Sequence, residues 1–331
     1  MSGGTVGRIG VREVAIHAGV STQTVSRVLN EHPNIRPETR LRVQAAMVEL
    51  GYRMNNAARA LGTATTRTIG IVASDADLYG PAVGIAALES AARALDRWIT
   101  TAYADASDEA AVRAAAEHLL VQGVDGIVVL APHVETLEVA RAAAPGVHVA
   151  AMHGGLGSER QQDAARLIVE HLLERGHERI ARLAGPPDWA EAAARDAGMT
   201  DALRSAERAP GPRWSGDWSA ASGFGTAEEI AAAVRADDGP TAVVVANDQM
   251  ALGLIAGLTA AGVRVPDDVS IAGFDDNPDA AYYLPALTTV RLDMAGEARR
   301  ALAEALSLPD APAPAAPTLI VRASTAQVSS R

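Results

Sequence analysis

The chain has 331 residues, about half of them apolar, which is too many for one ordinary core and enough for two or three packed units. It contains no Cys, so disulfides, thiolate metal sites and Cys nucleophiles are excluded. All 29 basic side chains are Arg, and the net charge of −11 conceals a division: residues 1–67 carry nine Arg against four Glu, whereas residues 68–331 carry 20 Arg against 36 acids. A basic head on an acidic body points to the head as the part that meets nucleic acid. There is neither a charged-then-apolar leader pattern nor a run of about 18 apolar residues, which reads as a cytoplasmic protein with no membrane partner.

In chain order, Val11–Ala18 has the composition of a short helix, with Val14 and Ile16 among helix formers, and Gly19 breaks it. Ser21 is placed to cap a second helix through about Leu29. Helix, Gly-containing turn and helix make a helix-turn-helix candidate. In the second helix Val25, Val28 and Leu29 share one side, and Thr22, Gln23, Ser26 and Arg27 share the other. That second face is short, polar and rich in hydrogen-bonding groups. It suits the major groove, with Gln23 able to pair with adenine and Arg27 with guanine or a phosphate; a solvated helix face fits the same residues. A third helix is expected from about Pro37 to Leu50, with Leu41, Ala45 and Val48 as its buried stripe and Gly51 as its end. Within residues 52–67, Asn56–Leu61 has helical composition but is far shorter than the ~12–15 residues an isolated helix needs. It reads either as an Ala-rich linker or as a segment that folds against a partner.

From residue 68 the pattern alternates. Apolar strands are expected at Thr68–Ala73, Ile99–Ala104, Gly126–Ala131, His148–Met152, Arg179–Gly185, Thr241–Ala246 and Val269–Phe274, with a last one near Thr318–Val321 after the Pro/Ala-rich loop Leu308–Pro317. Ala-rich helical stretches such as Glu109–Val121 and Asp163–Glu174 lie between them. The fold expected is an α/β body of two parallel-sheet lobes with an all-α helix-turn-helix head. Ligands of open α/β sheets sit beyond the C-terminal ends of the strands. Asn247-Asp248 and Asp275-Asp276 fall there, and Arg195 and Asp217-Trp218 lie in the same half. Few polar groups beside an aromatic wall describe a sugar pocket. Singly, Asn247 fits a helix cap, Asp275-Asp276 a turn, Arg195 a surface ion pair and Trp218 core packing.

Two runs carry a resemblance. In the head they are Val14-Ala15, Ala18-Gly19-Val20-Ser21, Gln23-Thr24-Val25-Ser26-Arg27-Val28, Asn30, Thr39-Arg40 and Gly51-Tyr52. In the body they are Gly216-Asp217-Trp218-Ser219-Ala220, Ser222-Gly223-Phe224, Val245 to Gly253 and Leu287-Thr288-Thr289-Val290. The chain resembles the lactose-repressor (LacI) family from about residue 9 to 325, the body motifs falling near the family's eponymous member. The resemblance implies a periplasmic-binding-protein-like body, a homodimer, and double-stranded operator DNA as partner. It implies DNA contacts from Ser21, Thr22, Gln23, Ser26, Arg27 and Asn30, with Asn55, Ala58 and Leu61 in a hinge helix whose Leu61 wedges the minor groove. It implies effector contacts from Arg195, Trp218, Asn247 and Asp275. Met54 and Arg36 depart from the family's Pro and Ser, the latter removing a cap. Leu130, His153, Leu292 and Met294 differ in type from the family's effector-facing positions, and the stretch 153–163 is shortened.

The organisation expected is a head over 1–54, a hinge over 55–67, and a body over 68–331. The body divides into an N-lobe of about 68–158 plus 292–316 and a C-lobe of about 159–290 plus 317–331. The function expected is a cytoplasmic, nucleoid-associated transcriptional repressor controlled by a sugar-like effector, a galactoside among the candidates. No C-terminal heptad helix follows the last strand, which favours a dimer over a tetramer. A free sugar-binding protein, or a regulator with a non-sugar effector, remains the alternative. An enzyme is not expected: there is no P-loop, no Gly-x-Ser-x-Gly and no Gly-x-Gly-x-x-Gly after a strand. The eight His show no metal-ligand spacing, and no cofactor is expected.

Overall fold

The computed structural model describes residues 9–30, 32–52, 65–75, 77–130, 133 and 135–328. The chain divides into two compact units, Met1–Thr68 and Ile69–Arg331.

The first unit is a bundle of α1 (Val11–Ala18), α2 (Thr22–Leu29) and α3 (Pro37–Glu49). Ser21 caps α2, its Oγ accepting from Thr24 N at 3.1 Å. Gly19, at φ 64°, makes the left-handed turn between α1 and α2 that a side chain would strain. Arg36 precedes α3 without a side-chain cap, and Pro37 supplies the first position. The core comprises Val14, Ala15, Ala18, Val25, Val28, Val43 and Ala46. The stripe expected on α3 is therefore corrected: Leu41 is 66% exposed, Val48 82%, and Ala45 is exposed too. Leu41, Ala45 and Val48 share a face about 100–160° away from the one that Val43 and Ala46 turn toward α1 and α2. His17 Nε2 and Glu49 Oε2, 2.6 Å apart, fix α3 against α1.

The second unit holds two four-stranded parallel sheets. The first has the order β2-β1-β3-β4, from β1 (Thr68–Ala73), β2 (Trp98–Tyr103), β3 (Gly126–Leu130) and β4 (Val149–Ala151). The second has the order β6-β5-β7-β8, from β5 (Ile180–Ala184), β6 (Arg213–Ser215), β7 (Ala242–Val245) and β8 (Ser270–Ala272). Among their central strands β1, β3 and β7 lack charged residues because both faces are covered by helices, while β5 carries the half-buried Arg182. Register is held by pairs such as Val72↔Val129 and Ala181↔Val243.

The first sheet is covered by α4 (Tyr79–Ala94), α5 (Glu109–Val121) and α6 (Thr136–Ala143). The second is covered by α7 (Leu156–Glu174), α8 (Ala190–Ser205), α10 (Ala227–Arg235) and α11 (Asp248–Ala260), with the short α9 (Ala220–Gly225) packed on α11. The helix expected at Asp163 begins instead at Leu156, so the Gly-rich run from His153 is a loop only as far as Gly155. Gly157 and Gln161 are buried on that earlier part, so tertiary packing accompanies the extension that composition did not suggest. The antiparallel pair β9 (Thr289–Arg291) and β10 (Thr318–Ile320) flanks α12 (Met294–Ala305). Ala298, Ala301, Leu302 and Ala305 of α12 return to the core of the first sheet, while Val290 and Leu319 pack with the second. No described helix is long and apolar enough to cross a membrane.

Candidate functional sites

The exposed side of α2 carries Thr22, Gln23, Ser26 and Arg27, all in solvent, while Val25 and Val28 of the same helix are buried. Ser21 is committed to the cap and also lies 2.9 Å from Thr24 Oγ1. Asn30 closes α2, and its Oδ1 is buried with no hydrogen-bond partner among the described residues. Asn55, Ala58 and Leu61, and the helical segment expected around them, lie outside the described residues.

In the second unit, the loops beyond the strand ends of both sheets line a common cleft. Leu78 and Gly80 follow β1, Leu130 ends β3 and His153 follows β4; Trp189, Glu191 and Arg195 follow β5, Trp218 follows β6, Asn247 and Gln249 follow β7, and Asp275 follows β8. All four residues expected at an effector thus line one cavity, where parallel strands present their C-terminal ends. Leu292 and Met294 line an adjoining recess that shares Gly80, His153, Arg195 and Asp275 with it.

Arg195 organises this wall. Its Nε donates to Gln161 Oε1 at 2.8 Å, its Nη1 to the Ala246 carbonyl, and its Nη2 to Asp275 Oδ1 at 3.2 Å. The guanidinium lies over the Phe274 ring at 3.8 Å and 5.5 Å from the Trp218 ring, which adds cation–π attraction. Asn247 both caps α11, accepting from Met250 N at 2.8 Å, and donates Nδ2 to the Trp218 carbonyl at 2.9 Å. The cap reading and the pocket reading of Asn247 are therefore compatible: the cap fixes the side chain, and that side chain fixes the loop carrying Trp218. Trp218 takes φ 74°, and its ring lies where a Cβ on Gly185 would meet it at 2.3 Å. Gly185 leaves the space the indole fills.

The adjacent acids divide in role. Burial pushes the Asp275 carboxyl up to about 6, against the pull of Arg195. Burial also pushes Asp276 upward, but Arg322 at 2.6 Å and Arg291 at 2.7 Å more than offset it and hold the carboxyl below its usual range. Asp276 is thereby committed to β9 and the segment after β10. Asp248 is likewise spent inside the fold, accepting from Asn277 N and Thr289 Oγ1 at 2.7 Å each. Asp217 turns away from the cleft to accept from Ser219 N at 2.9 Å.

Several cleft residues were not foreseen. Glu191 lies one turn before Arg195 on α8, a spacing that was legible. Trp189 lines the cleft, and Gln161 and Phe274 lie behind it against Arg195; all three come from elements whose approach only folding sets. Burial pushes the Glu191 carboxyl up to about 7 and the His153 imidazole down to about 4, so His153 is neutral at physiological pH. Contacts that bridge the two sides of the cleft include Tyr79 N, which donates to Gln249 Oε1 at 3.3 Å, the His133 and Trp189 rings 5.5 Å apart, and His133 Nδ1 3.3 Å from Asp188 Oδ2.

Two family models match the chain. One, for bacterial regulatory proteins of the lacI family, covers residues 11–55; the other, for periplasmic binding protein-like domains, covers residues 169–325. The lactose operon repressor of Escherichia coli (strain K12) is 36% identical over 289 residues, 85% of this chain and 79% of that protein. The chain belongs to the lacI family of bacterial regulatory proteins: a helix-turn-helix head joined to a two-lobed α/β body. Among solved structures, the lac repressor dimer bound to operator and the anti-inducer ONPF matches with a TM-score of 0.79 at 32% identity, covering 96% of this chain and 99% of that one. The transcriptional regulator CelR in complex with cellobiose matches with a TM-score of 0.62 at 27% identity, covering 96% and 100%.

Proposed function

We propose that this protein is a cytoplasmic, nucleoid-associated transcriptional repressor that binds operator DNA as a homodimer and is released by a small sugar-like effector. It performs no catalysis. The carrying observation is the convergence of Arg195, Trp218, Asn247 and Asp275 on one cleft at the strand ends, in a family whose relatives include a repressor held with operator and a regulator held with cellobiose.

In this reading residues 1–54 form the head and 55–67 the hinge. The N-lobe is about 68–158 plus 292–316, and the C-lobe about 159–290 plus 317–331. Thr22, Gln23, Ser26 and Arg27 face the major groove, Ser21 and Asn30 flank them, and Asn55, Ala58 and Leu61 meet the minor groove. Arg195 and Asp275 pair with adjacent hydroxyls, Asn247 adds a third polar contact, and Trp218 covers the apolar side of the ring. A galactoside is among the candidates, although Leu130 and His153 alter the opposite wall. Control is a coupling between two sites: an effector that lowers operator affinity must itself bind more weakly when operator is present, by about 5–150-fold for a typical coupling.

The test is a selection of DNA by the purified chain from a random duplex library, followed by titration of the selected duplex at several salt concentrations with and without each of a panel of mono- and disaccharides. Selective binding should weaken steeply with salt, as Arg side chains displace counterions, and one sugar class should lower it further. Salt-independent or unselective DNA binding defeats the repressor reading, and a panel without effect defeats the sugar.

A further inference from the structure

One carboxyl oxygen in the cleft has no hydrogen-bond partner among the described residues. Glu191, the second residue of α8, is only 7% exposed yet lines the cavity, and its Oε2 is buried with no hydrogen-bond partner among the described residues. Among the described lining residues Arg195 is the one cation, since His153 is neutral, and each of its three guanidinium nitrogens already donates, to Gln161, Ala246 and Asp275 in turn. The lining therefore sets two carboxyls against one guanidinium that is already engaged with the other acid. Burying an unpaired carboxylate is costly unless a counter-group arrives. Burial pushes the Glu191 carboxyl upward, and a cation brought beside it would favour its ionised form.

The surroundings suit the same ligand group. Trp189 and Trp218 line the cavity beside Glu191, their rings 5.5 Å apart and inclined at 64°. A carboxylate combined with indole faces is the chemistry that holds an ammonium, by charge-assisted hydrogen bonding and by attraction to the ring quadrupole. The indole Nε1 of Trp218 is a second buried group without a partner, and as a donor it suits a hydroxyl oxygen. From Glu191, its unpaired oxygen and the two indoles, we infer that the effector is a cationic amino sugar whose amine pairs with Glu191. The inference rests on reading the cleft as a sugar-effector site.

Calorimetric titration of the full chain at neutral pH and above, about pH 7 to 7.5, where Glu191 can ionise and amino-sugar amines still carry a proton, separates the two claims. The probes are D-galactose with D-galactosamine, D-glucose with D-glucosamine, the N-acetylated forms, and cyclohexylamine as an amine without hydroxyls. One amino sugar should bind at least tenfold more tightly than its neutral partner. N-acetylation should remove that advantage, and Glu191→Gln should bring the pair to equal affinity. The wild-type comparison stands even if the variant misfolds. Equal or tighter binding of the neutral sugar overturns the amine and leaves the sugar reading intact. Glu191-dependent binding of cyclohexylamine with none of any sugar keeps the amine and overturns the sugar. No binding by any probe overturns both.

Discussion

The exposed face of α2 and the cleft of the body are built in opposite ways. The face draws four side chains from six consecutive residues, Thr22 to Arg27, all in solvent on a helix whose other side is buried. The cleft draws Arg195, Trp218, Asn247 and Asp275 from four different strand-end segments, and each is tied to another: Arg195 to Asp275, Asn247 to the Trp218 backbone. A contiguous exposed face can change its chemistry without touching the fold. A site assembled from buried, mutually bonded groups cannot, because binding and stability there share the same contacts. Within the cleft a second contrast holds. The second sheet supplies Glu191, Arg195, Trp218, Asn247 and Asp275, whereas the first supplies Leu78, Leu130 and the neutral His153, so polar recognition is concentrated on one wall.

The largest effect should come from Asp275→Ala. Removing one partner of a largely enclosed pair leaves the Arg195 charge uncompensated, which costs about 3–5 kcal/mol of stability, and the sugar-induced thermal shift of the body should vanish with it. Denaturant unfolding of the variant measures the first and a ligand thermal-shift assay the second. Loss of ligand response at unchanged stability would break the claim that the cleft's contacts serve both.

Next comes pH. The Glu191 carboxyl sits at about 7 in the fold, above the 4.5 of the free side chain. Between those values the folded chain holds a proton that the unfolded chain has released, so this contribution is complete below about 4.5 and is lost as pH rises through about 7. The 2.5-unit separation corresponds to roughly 3 kcal/mol. Glu191→Gln, which has no proton to lose, should flatten the fall in unfolding free energy measured from pH 5 to 8. An unchanged slope would show that Glu191 does not carry it.

Exchanging Thr22 and Gln23 for other polar residues should shift DNA preference by about 1–3 kcal/mol at the affected base pairs, read by competition binding. Stability should stay within about 0.5 kcal/mol. A larger loss of stability would erase the contrast between face and cleft. Ser21→Ala sharpens it from inside the head: Ser21 adjoins the exposed face but caps α2, so thermal unfolding should report a loss of about 1 kcal/mol.

The turn at Gly19, the cap at Ser21, the buried pair Val25 and Val28, and the alternation of apolar strands with Ala-rich helices were all legible in the sequence, because each is set by residues within one or two turns of each other. So was the expectation that polar groups cluster at strand ends, since that follows from connectivity of parallel sheets. The stripe Leu41, Ala45, Val48 was misread because α3 carries apolar residues on more than one side, and only the packing of α1 and α2 selects Val43 and Ala46. What the sequence by itself determined is the class of the protein: a basic helical head, two wound sheets, and the residue types at their loops. What only the tertiary structure decided is which of those residues meet. Gln161 reaches Arg195 across 34 positions, Asp275 across 80, Asp276 is withdrawn by Arg291 and Arg322, and Glu191 Oε2 is left without a hydrogen-bond partner among the described residues. Those outcomes depend on the approach of distant elements and on the exclusion of water between them, and neither is encoded in local spacing.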